Sequence, residues 1–346
     1  MDDLNVQLLD AIQTSVPLVA DPWRLLADEL GVEEEDVLRR VTAMRHEGVI
    51  RRIGGVFDAT RLGYRQTLLA LSVDAERLDR AAAVVAGHPG VSHCYSRSDE
   101  FNLWATPAVS PESTLGLETT LQTLASRCGA KAYLNLPVKQ RFKLAVRFGG
   151  VRSIADPFGT KCGVSQTPSG RNAKERPGKV LPLSDEQRRA VLALQLDLSL
   201  EARPFDAVAR KAGVPAVDEL LVQAADLQAM GVLRRYSAVL HHAAAGAKAN
   251  VLVAWRVPED RAQLAGAAAA QHASVSHGYL RETAPDWPFN LYTMIHGLSR
   301  DDCLGVIHEI AATIGNPERR ELWTIREYKK SPVQFFSPAE AEWEAQ

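Results

Sequence analysis

Two short runs carry the titratable groups that a ligand-binding face needs. His93, Tyr95 and Arg97 stand at every second position, and so do His277, Tyr279 and Arg281. In an extended strand side chains alternate between faces, so each trio shares one side. Each run then presents an imidazole, a phenol and a guanidinium in a row. Imidazole exchanges protons near neutral pH. The planar fork of arginine matches a carboxylate bidentately. A row of this kind suits a polyacidic ligand to which a proton must be delivered, with histidine as the best-suited general acid and tyrosine as the alternative. A plainer reading stands beside this one: half-buried strand histidines, packing tyrosines and surface ion-paired arginines.

The two trios belong to an internal duplication. Val73 to His93 and Val257 to His277 align over 21 residues without a gap and agree at nine positions. Phe101-Asn102-Leu103-Trp104 answers Phe289-Asn290-Leu291-Tyr292, and Gly48-Val49-Ile50-Arg51-Arg52 answers Gly231-Val232-Leu233-Arg234-Arg235. The offset of about 183 residues indicates a doubled module rather than a short-unit solenoid. The connection between Arg281 and the second Phe-Asn-Leu run is four residues longer than its counterpart, and Trp287 lies in it. That difference predicts that the two halves are not equivalent, with the second supplying the main catalytic site.

The elements that must position these residues are legible from periodicity. Trp23 to Leu30 has helical spacing and stops at Gly31; Glu33 to Glu47 restarts a helix with Val37, Val41 and Met44 as its apolar stripe. Ile50 to Ile53 then reads as a short strand. Helix, turn, helix and strand form a winged helix-turn-helix, repeated from Phe205 to Tyr236. Beyond the first wing the pattern alternates: strand at Gln66–Val73, helix at Arg77–Ala86, strands at Val91–Ser96 and Phe101–Thr106, helix at Thr114–Arg127, strand at Ala130–Leu136. This βαββαβ order predicts an α+β fold of two tandem copies, each a winged helix-turn-helix plus a ferredoxin-like domain. The expected division is 1–62 and 183–245 for the winged helices, 63–148 and 246–346 for the βαββαβ domains, and 149–182 as a Gly-, Pro-, Ser- and Lys/Arg-rich linker. Such sheets expose one face and commonly pair, so the two copies are expected to form an intrachain pseudo-dimer around a shared cleft, with further homo-oligomerisation possible. His88 and His272 end their helices, where a cationic imidazole would complement the dipole.

Composition sets the outer limits. The 346 residues carry 40 Lys plus Arg against 42 Asp plus Glu, a formal charge of -2. The second helix of the first helix-turn-helix opens with Glu33-Glu34-Glu35-Asp36, and its counterpart offers Pro215-Ala216-Val217-Asp218-Glu219. Those side chains would meet phosphates with carboxylates, so no nucleic-acid partner is expected. No apolar run reaches a membrane-spanning length, so no membrane partner is expected either. Cys94, Cys128, Cys162 and Cys303 lie far apart, which fits neither a disulfide framework nor a zinc ribbon. An acidic N-terminus without an apolar stretch points to the cytoplasm.

A winged helix-turn-helix followed by βαββαβ resembles the Lrp/AsnC family, whose usual role is DNA binding under an amino-acid effector. A transcription regulator, with or without a response to haem, is therefore the alternative reading. Longer motifs resemble the siroheme decarboxylases, an enzymatic branch of that fold usually built from two homologous subunits. The first half is similar to the NirD/AhbA type through Arg52-Ile53-Gly54-Gly55-Val56-Phe57, Tyr95-Ser96-Arg97, Glu100-Phe101-Asn102-Leu103-Trp104 and Arg141-Phe142-Lys143. The second is similar to the NirL/AhbB type through Ala238-Val239-Leu240-His241-His242, Ala249-Asn250-Val251-Leu252-Val253-Ala254-Trp255, Pro285-Asp286-Trp287-Pro288-Phe289-Asn290-Leu291-Tyr292, Met294-Ile295-His296-Gly297 and Arg326-Glu327-Tyr328-Lys329-Lys330. Two halves in one chain resemble the fused NirDL arrangement of haem d1 biosynthesis.

The resemblance implies siroheme as substrate, loss of carbon dioxide from two acetate side chains, 12,18-didecarboxysiroheme as product, and no cofactor beyond the iron of the substrate. Together with the one-face row of the second half, it gives expected catalytic roles for His242, His277, Tyr279 and Arg281, of which His242 rests on the resemblance and the other three on the row. It implies substrate contacts for His93, Tyr95, Arg97, Arg52, Arg235, Lys329 and Lys330. His242 inherits the family histidine, as a turn residue or as a ligand to the siroheme iron; His241 stands where the family tends to have arginine. Arg52 and Arg235 hold propionates or are solvated.

Overall fold

The computed structural model describes residues 2–144, 180–240 and 249–346. The expected linker lies outside them except for its last three residues, and so do His241 and His242. The chain forms two compact units: Met1–Pro137, Lys179–Ala244 and Thr324–Gln346 make the first, Val138–Gly178 and Ala245–Trp323 the second. The fold is α+β.

Unit 1 begins with α1 (Asp3–Thr14), α2 (Pro22–Leu30) and α3 (Glu34–His46). Helical spacing alone places the first helix at Trp23. A further helix precedes it, because Asp2 caps α1 and Leu8, Leu9 and Ile12 give it a buried stripe. Gly31 closes α2 at φ 67°, a conformation that glycine adopts without a Cβ clash. β1 (Ile50–Phe57) is twice the length expected of a wing strand. It leads through β2 (Arg65–Gln66) to β3 (Leu68–Ser72), α4 (Leu78–Gly87), β4 (Val91–Arg97), β5 (Leu103–Val109), α5 (Gly116–Cys128) and β6 (Ala132–Leu136). After β7 (Val138–Leu144), which belongs to unit 2, the second helix-turn-helix follows in α6 (Asp185–Leu194), α7 (Pro204–Lys211), α8 (Val217–Ala229) and β8 (Leu233–Leu240).

The extra length of β1 has a partner. It pairs antiparallel with β8, so each wing strand completes the other in a two-stranded sheet. A lone wing would leave its backbone groups unpaired. The helices of both copies share one core, in which Leu8, Ile12, Trp23, Val41, Phe205 and Tyr236 are buried. The Trp23 indole N–H donates to the Glu201 carbonyl at 2.8 Å across the two copies.

Unit 2 consists of β9 (Ala249–Trp255), α9 (Ala262–Gln271), β10 (Val275–Arg281), β11 (Leu291–Gly297), α10 (Arg300–Thr313) and the first part of β12 (Arg319–Lys330); the chain ends in unit 1 with α11 (Ala339–Glu344). Both ferredoxin-like sheets have the same order. In unit 1 it is β6-β3-β5-β4, followed by Thr324 to Lys330 of β12 on the β4 edge. In unit 2 it is Arg319 to Trp323 of β12, then β9-β11-β10, followed by β7 on the β10 edge. The segment that follows the fourth strand of each copy thus covers the second strand of the other copy's sheet. Edge strands with free N–H and C=O groups invite pairing, and here this chain supplies it.

Helices cover one face of each sheet. In unit 1 Leu69, Leu71, Val85, Val91, Cys94 and Leu121 form the layer between sheet and helices. In unit 2 Val251, Val253, Ala269, Val275, Ile307 and Ile310 do so. Gly266 of α9 is required by this packing: a Cβ there would lie 2.2 Å from the Phe142 ring of β7.

Candidate functional site

The alternation along β4 and β10 decides which side chains meet. Cys94 packs into the helical core of unit 1, and a Cβ on Gly278 would lie 3.8 Å from Ala270 of α9. His93, Tyr95 and Arg97 therefore stand on the helix-free face of their sheet, as do His277, Tyr279 and Arg281. The rings of His93 and Tyr95 stack at 6.1 Å, and those of His277 and Tyr279 at 6.2 Å. The Arg97 guanidinium lies over Tyr95 at 5.4 Å, and that of Arg281 over Tyr279 at 4.9 Å and Tyr292 at 5.7 Å. The expected row exists twice with the same geometry.

Both terminal arginines are buried. Arg97 is 4% exposed and Arg281 7%. Burial pulls each guanidinium down to about 10, which leaves both cationic at neutral pH. Arg97 donates to the Thr324 hydroxyl at 2.9 Å. A cation placed in advance in a low-dielectric wall attracts an incoming carboxylate more strongly than a solvated one does.

Both histidines are oriented by the preceding serine. The Ser92 hydroxyl lies 3.0 Å from His93 Nδ1 and 2.8 Å from the Thr106 hydroxyl. Ser276 lies 2.9 Å from His277 Nδ1 and 2.9 Å from His296 Nε2. Unit 2 thus backs its histidine with a second imidazole where unit 1 has a threonine. In the sequence His296 stands out only as part of a motif; its place two residues beyond Met294 on β11 is the signal that could have found it.

The covering strands distinguish the two rows further. Glu327 of β12 stands opposite Tyr95 and Lys330 opposite His93. Arg141 of β7 stands opposite Tyr279. Burial raises the Tyr95 phenol, and the Glu327 carboxylate raises it further, against Arg97 and Arg51. Burial also raises Tyr279, but there Arg281 and Arg141 both oppose the rise.

Other expected residues lie elsewhere. Arg52 turns away from the row: its guanidinium donates to the carbonyls of Gln195 at 3.1 Å and Gly55 at 3.4 Å. Its neighbour Arg51 is the one that donates to the Lys330 carbonyl and acts on Tyr95. Arg235 is exposed on β8, opposite Val56. Lys329 points to the helical side, donating to the carbonyls of Ala86 at 2.7 Å and His88 at 3.0 Å. Lys330 takes the other face beside Glu327 and Arg51, and burial lowers its ammonium. A sequence run of two adjacent cations cannot show which of them a strand turns inward. Trp287 is 3% exposed and donates to the Tyr292 hydroxyl at 2.6 Å, so the longer loop braces the wall beside Arg281.

A ferredoxin-like sheet with a basic and aromatic row on its helix-free face, present twice and joined to helix-turn-helix segments, defines a doubled ligand-binding protein of the AsnC-like class. Residues 61–143 and 244–329 match the AsnC-like ligand binding domain, and residues 5–51 match the siroheme decarboxylase NirDL-like HTH domain. The chain is 34% identical to the siroheme decarboxylase of Hydrogenobacter thermophilus over 97% of its own length and 96% of that protein's. It is 32% identical to the siroheme decarboxylase NirDL subunit of Paracoccus denitrificans, covering 93% and 92% of the two chains. The crystal structure of the siroheme decarboxylase NirDL in co-complex with an iron-uroporphyrin III analogue superposes with a TM-score of 0.77 at 31% identity, covering 99% of this chain and 98% of that one. The chain belongs to the siroheme decarboxylase family.

Proposed function

We propose that this chain is a carboxy-lyase of the cytoplasm that removes carbon dioxide from two acetate side chains of siroheme, giving 12,18-didecarboxysiroheme for haem d1 synthesis. The observation that carries the reading is the buried Arg281 guanidinium held over Tyr279 and Tyr292, with His277 stacked beside them. Siroheme carries many carboxylates, and a fixed guanidinium is suited to hold one of them. The half-buried Tyr279 ring, braced from behind by the buried Tyr292 and Trp287, suits the flat macrocycle. The iron arrives with the substrate.

Decarboxylation leaves an electron pair on the methylene carbon, which the macrocycle delocalises, and a general acid then makes the methyl group. His277 and Tyr279 are the two acids of the row. Excluding water from the wall favours departure of a carboxylate that is held but not solvated. The test is anaerobic incubation of the full chain with siroheme, followed by mass spectrometry. A product lighter by two carbon dioxide units supports the reading. Siroheme bound tightly and recovered unchanged indicates a carrier and overturns it.

A further inference from the structure

The two rows are alike in their own residues and differ in what the covering strands set against them. Gln140-Arg141-Phe142-Lys143 on β7 runs beside β10, and Arg326-Glu327-Tyr328-Lys329 on β12 runs beside β4. Lys143 and Lys329 match: each donates to the carbonyl of the histidine that ends the neighbouring helix, His272 at 2.8 Å and His88 at 3.0 Å. With that register fixed, Arg141 and Glu327 occupy equivalent places. Each stands directly opposite the tyrosine of its row, where side chains on one face of a sheet interact.

The chemistry at the two phenols is therefore opposite. Tyr95 faces a carboxylate that accepts its proton in a hydrogen bond and repels a phenolate. Tyr279 has Arg281 over its ring and Arg141 paired with it on the covering strand, and both cations act to stabilise the anion that remains after a proton has left. We propose that Tyr279 delivers the proton to the methylene carbon, and that Arg141 is the positioning residue that selects Tyr279 over Tyr95. The inference rests on the reading of the chain as a siroheme decarboxylase. In the step, the bond between the methylene carbon and the carboxylate breaks heterolytically and carbon dioxide leaves. The electron pair stays on the methylene carbon and takes the Tyr279 hydroxyl proton to form a methyl group. The phenolate regains a proton from water.

The test reads the phenols without substrate as well as with it. Difluorotyrosine is placed at position 279 or at 95, which brings ionisation into the neutral range, and fluorine NMR follows the titration of the ligand-free full chain. The midpoint at 279 is expected below that at 95. Arg141→Leu is expected to raise the midpoint at 279 by about one pH unit, Arg141→Lys to restore most of it, and neither to move the midpoint at 95. With siroheme, Tyr279→Phe is expected to lose about a hundredfold or more of turnover, and Tyr95→Phe less than about fivefold. Equal midpoints, a midpoint at 279 that ignores Arg141→Leu, or equal losses in the two phenylalanine variants overturn the inference. Failure of the unsubstituted chain to release carbon dioxide overturns the decarboxylase reading instead, and the ligand-free titration identifies which of the two has failed.

Discussion

Lys143 and Lys329 do the same work in the two units. Each reaches from a covering strand to the last carbonyls of the helix behind its sheet, Lys143 to His272 at 2.8 Å, Lys329 to Ala86 at 2.7 Å and His88 at 3.0 Å. A cation at a helix C-terminus satisfies orphan carbonyls and complements the dipole. This pins each covering strand to the sheet it borders, and so fixes what stands opposite each tyrosine.

Lys329 and Lys330 are expected to separate on substitution. Lys329→Met removes hydrogen bonds from a charged donor to half-buried carbonyls and should destabilise unit 1 by about 2 kcal/mol, read by urea unfolding. Lys330→Met should leave stability within about 0.5 kcal/mol and weaken siroheme binding about tenfold. If binding fails with Lys329→Met alone, the assignment of faces is wrong.

Arg281→Ala is expected to lower siroheme turnover by about a hundredfold, ~2.7 kcal/mol of transition-state stabilisation. His277→Ala should also cost more than His93→Ala, because in unit 2 Ser276 joins the histidine to a second imidazole, His296. Carbon dioxide release per unit time is the measurement; equal losses in the two halves would refute the asymmetry.

His88 gives the fold a pH dependence. It is 1% exposed, accepts from the Gly90 N–H at 3.0 Å through Nδ1 and meets the Trp343 ring edge-on at 4.3 Å. It is thus neutral and structural, and Lys329 takes the helix-end role expected of a cationic imidazole. Burial, helped by Lys329, lowers His88 from 6.5 to about 4. The unfolded chain binds this proton at a higher pH than the folded one, so the contribution is full above pH 6.5 and is lost as pH falls toward 4. Its full size is about 3 kcal/mol. Melting the parent and His88→Asn at pH 7.5 and pH 5 checks this: the parent should lose more stability on acidification.

Trp287→Phe removes the indole donor to the buried Tyr292 hydroxyl. A cost of about 1 to 2 kcal/mol is expected, with a modest loss of siroheme affinity. Unchanged thermal stability and affinity would show that the longer loop does not brace the wall.

DNA binding is expected to be absent at physiological salt. The first turn of α3 carries Glu34, Glu35 and Asp36, and Asp36 is held by Arg39 and Arg40, so those cations are engaged within the helix. A salt-dependent mobility shift with duplex DNA would contradict this.

The sequence alone determined the local and repetitive features of this protein. Period-two spacing put His, Tyr and Arg on one strand face, and helical spacing with Gly31 marked the first turn. The duplication implied two like sheets, because each of these patterns is written in consecutive residues. Only the tertiary structure decided which partners the strands take. That β1 completes β8, that β7 covers β10 and that the end of β12 covers β4 are long-range pairings, and no periodicity within a strand specifies its neighbour. Those pairings set Arg141 against Tyr279 and Glu327 against Tyr95. They also turn Lys329 inward and Lys330 outward, and send Arg52 to backbone carbonyls while Arg51 reaches the row. A side chain's charge is a property of its residue type, but the field acting on a phenol depends on what the opposite strand brings to it.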